Sequence, residues 1–65
     1  MSVSFMKKFE KEGVKYTLWN KGSYWYELTL SSQESQGFKH ITEWHGKTMD
    51  EIEAELHWKG YTALH

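Results

Sequence analysis

Between Val14 and Leu30 apolar and polar side chains alternate with a period of two, and glycines punctuate the pattern at Gly13 and Gly22. Side chains of a strand point alternately to opposite faces, so this spacing belongs to strands buried on one side, not to helices. It predicts strands over Val3 to Glu10, Val14 to Asn20 and Ser23 to Ser31. The break at Asn20-Lys21-Gly22 reads as a three-residue loop with Gly22 at positive φ. That loop sets Leu18 against Tyr24, Tyr16 against Tyr26 and Val14 against Leu28 on one face, with Thr17 against Trp25 and Lys15 against Glu27 on the other. A two-residue loop there would set Leu18 against Trp25 and Tyr16 against Glu27 and mix the faces. At Glu12-Gly13 two loops are open: two residues pair Phe9 with Tyr16, and four pair Phe9 with Val14 and Phe5 with Leu18. Met6, followed by Lys7 and Lys8, offers an alternative translation start, which would remove part of the first strand.

Ser31 to Gly37 is polar and aperiodic and reads as a loop. Phe38 to Trp44 returns to strand character, with Phe38, His40, Thr42 and Trp44 on one side and Lys39, Ile41, Glu43 and His45 on the other. Gly46-Lys47-Thr48-Met49-Asp50-Glu51 opens a helix: Thr48 caps free N–H groups, Glu51 completes a capping box, and Asp50 suits the positive end of the dipole. The helix should run from Thr48 to about Lys59 and stop at Gly60. At about 100° per residue, Met49, Ile52, Leu56 and the Lys59 stem face the sheet, while Glu51, Ala54 and Trp58 lie on a flank. The expected architecture is a single α+β domain over residues 1–65. It is an antiparallel sheet of three or four strands with one C-terminal helix packed on one face (β-β-β-β-α), and Tyr61 to His65 form a short tail.

Composition narrows the function. No apolar run approaches the roughly 18 residues of a membrane span, and the first residues lack a signal peptide's order, so a cytoplasmic protein is expected. Eight Lys without Arg suggest a low-GC bacterial host. There is no Cys for a disulfide or thiolate metal site, and a net charge of −1 argues against a general affinity for DNA or anionic lipid. The surplus is aromatic: four Trp, four Tyr and three Phe in 65 residues. A helix of about 12 residues spans roughly 18 Å and covers only the middle of one sheet face. With Val14, Tyr16, Leu18, Tyr24, Tyr26, Leu28 and Leu30 beneath it, Trp19 and Trp25 are left on the opposite face and Trp58 on the helix flank. Such rings mark a protein-partner surface or a homodimer seam. The plainer reading packs Trp19 and Trp25 against Lys stems and the N-terminal strand. A third reading has the sheet aromatics stack on single-stranded nucleic acid, with Lys7, Lys8, Lys11, Lys15 and Lys21 on phosphates, although Glu10, Glu12 and Glu27 lie among them.

Catalytic and metal chemistry find little support. His40 and His45 differ in strand parity and are expected on opposite faces, His57 is helical and His65 is terminal, so no metal site is expected. Glu43 and His45 share a face as a nominal acid/base pair, but no activated nucleophile accompanies them. Gly46-Lys47-Thr48 lacks the upstream glycine of a phosphate loop, Ile41 standing in its place. No enzyme activity and no cofactor are expected. Asp50, Glu51, Glu53 and Glu55, preceded by Glu43, form an acidic run that is either a solvated helix face or a surface presented to a basic groove. The residues expected to contact a partner are Trp19, Trp25, Glu43, Trp44, His45, Glu51, Glu55 and Trp58.

The segment Trp44-His45-Gly46-Lys47-Thr48-Met49-Asp50-Glu51-Ile52, the upstream strand Tyr24-Trp25-Tyr26-Glu27 and the strands-then-helix order resemble the small phage-encoded inhibitors of uracil-DNA glycosylase. The resemblance spans residues 14–59. It implies a dimeric sheet-and-helix protein that occupies the enzyme's DNA-binding cleft as a DNA mimic. Gly46, Thr48, Asp50, Glu51 and Ile52 match the family's helix opening. Where the family has a Phe-Glu pair and a Tyr before the glycine, this chain has Ile41, Thr42 and His45. The broader expectation is a small phage-like protein that binds and blocks a host protein.

Overall fold

The computed structural model describes residues 3–31 and 39–64. They form β1 (Ser4–Lys11), β2 (Val14–Gly22), β3 (Trp25–Leu30), β4 (Lys39–His45), α1 (Met49–Trp58) and β5 (Thr62–Leu64). The sheet is antiparallel and five-stranded, in the order β4-β3-β2-β1-β5. The α+β class with one helix near the C-terminus holds. The fifth strand occupies what the sequence suggested was a tail, pairing Lys8 with Leu64, Phe9 with Ala63 and Glu10 with Thr62. Three residues of ordinary β character carry little periodic signal by themselves; Tyr61 and Ala63 become structural because both pack against the core.

Alternation fixes which residues share a face, and turn chemistry fixes how far the strands slide. At the first hairpin Glu12 and Gly13 take φ of 51° and 80°, and Phe9 pairs with Tyr16. This is the two-residue loop whose left-handed turn matches strand twist. At the second hairpin the expected three-residue loop is overturned. The loop is Ser23-Tyr24, with Tyr24 rather than Gly22 at positive φ (50°), and the ladder reads Tyr16 with Leu30, Thr17 with Thr29, Leu18 with Leu28 and Trp19 with Glu27. The register has moved by four residues, an even number, so every side chain keeps its face while every partner changes. The longer ladder places Leu28 opposite Leu18 in the middle of the sheet instead of opposite Val14 at its end. Val14 (40% exposed) and Tyr24 (59%) therefore sit at the turns, outside the helix's cover.

Three bulges adjust the faces. Register shifts skip Met6 in β1, Lys21 in β2 and Ile41 in β4. One extra residue in a strand reverses the facing of what lies beyond it. Phe5 thus leaves the helix side and packs edge-on to Trp19, with ring centroids 6.3 Å apart. His40, opposite Thr29, reaches the same face as His45, opposite Trp25. The parity argument that separated the two histidines fails because it assumed an unbroken β4.

The core lies between the sheet and α1: Phe9, Leu18, Tyr26, Leu28, Trp44, Ile52 and Leu56 are buried, and Tyr16 and Met49 pack around them. Thr48 and Glu51 form the expected capping box. The helix closes with Gly60 at φ 98°, where Gly60 N–H bonds the His57 carbonyl (3.0 Å) and Tyr61 N–H that of Leu56 (2.9 Å). This paired closure satisfies the last carbonyls and turns the chain toward β5. Lys59 caps the helix and is exposed, so its stem does not extend the buried stripe as expected.

Candidate binding surface

The helix covers one face of the sheet; the other carries Thr17, Trp19, Trp25, Glu27, Thr29, His40, Glu43 and His45. That outer face is not bare. Thr17 and Thr29 are only 2% and 4% exposed, and they belong to a small polar core of their own. The Trp19 indole Nε1 donates to Thr29 Oγ1 (2.8 Å), Thr29 Oγ1 donates to the Thr17 carbonyl (3.4 Å), and the Thr17 and Ser31 hydroxyls bond each other. Buried hydroxyls cost stability unless paired, and here each has a partner. Trp19 is half-buried, as the plainer reading of the sequence expected.

Beside it lies a charged and aromatic cluster on β2, β3 and β4. Glu27 and Glu43 stand directly opposite each other across the ladder, an arrangement that repels unless countered. Glu27 is countered by His40 Nδ1 and by Lys21 Nζ at 3.3 Å. Glu43 Oε2 accepts from Trp25 Nε1 and from His45 Nε2, both at 2.8 Å. These hydrogen bonds hold both carboxyls below the usual range, with His40 the main cause for Glu27 and Trp25 for Glu43. The Trp25 ring is engaged as well: His45 stacks on it at 5.2 Å and Lys21 Nζ lies 4.9 Å from its centroid. Glu43 and His45 share a face, as strand parity suggested, and Trp25 joins them, but their polar groups are spent on one another.

Trp44 was expected at the surface and is in the core instead, 7% exposed. It precedes the helix on the inward side of β4 and directs its Nε1 to Glu55 Oε2 at 3.1 Å. Glu55 also meets Lys59 (3.2 Å) and Lys47 (3.5 Å), and the Trp44 bond is the chief cause of its lowered pKa. Glu53 pairs with Lys7 of β1 at 3.0 Å. Glu51 is occupied by the cap: its Oε1 accepts from Thr48 N–H (2.9 Å), which lowers its pKa. Of the acidic run, Asp50 alone among the described residues has no such partner.

Trp58 differs from every other tryptophan. It is 88% exposed on the outward side of α1, close to the exposed Ala54 one turn earlier. The surface therefore consists of one free indole on the helix and a self-satisfied aromatic face on the sheet, on opposite sides of the molecule. Sequence reasoning placed Trp58 correctly from helical periodicity alone. It missed Thr17, Thr29 and His40, whose roles depend on strand register and on the Ile41 bulge.

No family model, no curated protein and no solved structure matches this chain. The resemblance of its helix opening to the glycosylase inhibitors therefore stands on those residues alone. Among the described residues, no three His, Asp or Glu side chains converge as metal ligands would. No described helix is long and apolar enough to cross a membrane. The expected loop beyond Ser31 and the expected strand start at Phe38 fall outside the described residues.

Proposed function

We propose that the chain is a small protein-binding module that docks onto, and blocks, another protein through the outward side of α1, with Trp58 as its anchor. The observation that carries this reading is the 88% exposure of Trp58 in a chain whose other indoles have all found cover or partners. An exposed indole contributes nothing to folding, whereas a Trp seated in a partner's pocket is among the strongest single contributors to an interface. Asp50 and Ala54 share that side, so the docking surface is an aromatic end and a small acidic end about 12 Å apart along the helix. The stacking of single-stranded nucleic acid is less well supported. The Trp25 ring already has His45 stacked on it and Lys21 Nζ over it, and Lys7, Lys21, Lys47 and Lys59 are engaged by carboxylates of the same molecule.

Affinity capture from a bacterial lysate with the wild-type chain and with Trp58→Ala, followed by titration against the purified partner, tests the proposal. Trp58→Ala should keep the far-UV circular dichroism and weaken binding at least tenfold, about 1.4 kcal/mol or more. Equal capture by both proteins would remove α1 as the docking side. A uracil-DNA glycosylase assay with the purified chain tests the inhibitor resemblance directly, and undiminished uracil excision at stoichiometric excess would end it.

A further inference from the structure

Among the described residues, one edge of the sheet is apolar and unpaired. β5 pairs with Lys8, Phe9 and Glu10 of β1, and no described residue pairs with Ser4–Lys7 on that side. Beyond β5 the strand exposes Phe5 (54%) and Met6 (38%). A hollow of about 260 Å³ lies there, lined by Phe5, Met6, Lys7, Lys8 and Leu64. Its lining is four consecutive residues of β1 plus the last residue of β5, so the hollow is a notch along a strand edge, in line with β5. The Met6 bulge bends β1 at this point, and the bulged residues themselves form the notch. The opposite edge of the sheet is different in kind, because β4 presents Lys39, His40, Glu43 and His45, the polar groups that discourage edge pairing.

Unpaired edge N–H and C=O groups accept one kind of occupant well, an extended strand. Charge selects among such strands. Lys7 is taken by Glu53, but no described carboxylate pairs with Lys8, which is exposed beside the notch. We propose that the open edge of β1 over Ser4–Lys7 receives an extended peptide segment of another protein as an added strand, with an apolar side chain in the notch and a neighbouring carboxylate on Lys8. This surface is separate from Trp58.

Ten-residue synthetic peptides test it, in three sets: Val/Leu alternating with Asp/Glu, Val/Leu alternating with Lys, and the acidic set with a central Pro that removes a backbone donor. The full chain should bind the acidic set at least tenfold better than either other set, and binding should slow amide exchange at Ser4–Lys7. Lys8→Glu should reverse the preference toward the Lys set while circular dichroism stays unchanged, and Trp58→Ala should bind the acidic set as the wild type does. Equal binding of all sets overturns the proposal. So does binding without protection of Ser4–Lys7, loss of binding in Trp58→Ala, or protection of that edge by self-association without peptide, read by sedimentation.

Discussion

Trp44 and Trp58 are the same side chain in opposite surroundings, and they separate stability from recognition. Trp44 fills the space between β4 and α1 and bonds Glu55. Trp44→Ala should therefore cost about 3–5 kcal/mol of unfolding free energy, by lost burial and the cavity left behind. Trp58→Ala removes a side chain that touches water, and should change stability by less than about 0.5 kcal/mol. Chemical denaturation of both variants measures the contrast; a large loss in Trp58→Ala would mean that the indole is sheltered in solution. At this scale the sequence was partly legible. Helical spacing assigned Trp58 outward and Ile52 and Leu56 inward. Trp44 was misread because its strand alternates poorly, and only the Ile41 bulge makes the inward and outward sides of β4 distinct.

Among the elements, the hairpins are where local chemistry and global pairing disagree. Glu12 and Tyr24 both hold left-handed backbone, at φ 51° and 50°, a conformation unfavourable to residues with a Cβ and well suited to Asn or Gly. Glu12→Asn should stabilise the protein, seen as a raised melting temperature without change in the spectrum. The second hairpin shows why its register was not legible: sliding by four residues preserves the apolar face, so face arithmetic is blind to it. Tyr24 is a poor turn residue in isolation, and the pairing of Leu18 with Leu28 beneath the helix overrides that preference. The helix start, in contrast, was legible in full. Its cap uses side chains adjacent in sequence, and Thr48→Ala should cost about 0.5–2 kcal/mol in the same denaturation experiment.

For the molecule as a whole, charge links the layers. Glu27 and Glu43 tie β2, β3 and β4 together on the outer side, and Glu55 joins β4 to α1 on the inner side. The carboxyls of Glu27, Glu43, Glu51 and Glu55 all titrate below their ordinary value of 4.5 in the folded protein. A group whose folded pKa is depressed adds stability above its unfolded value, and that stability is lost as pH falls through the folded one. The melting temperature should hold above about pH 5 and decline modestly as the pH falls below the ordinary carboxylate value, because these carboxyls are largely exposed to solvent. Glu55→Gln, which keeps an acceptor for Trp44, should drop less steeply; an identical slope would show that Glu55 contributes no proton linkage.

The helix has a further consequence through where it leads. β4 and β5 run in the same direction at the two outer positions of the sheet, and α1 crosses the face between them. The four-strand meander needs only neighbouring segments to meet and can zip from its turns, whereas β5 must wait until the chain has travelled the full width of the sheet. The last step of folding should then be the latching of Tyr61 and Ala63 against β1, and the earliest step of unfolding its release, read as the fastest amide exchange at Thr62–Leu64.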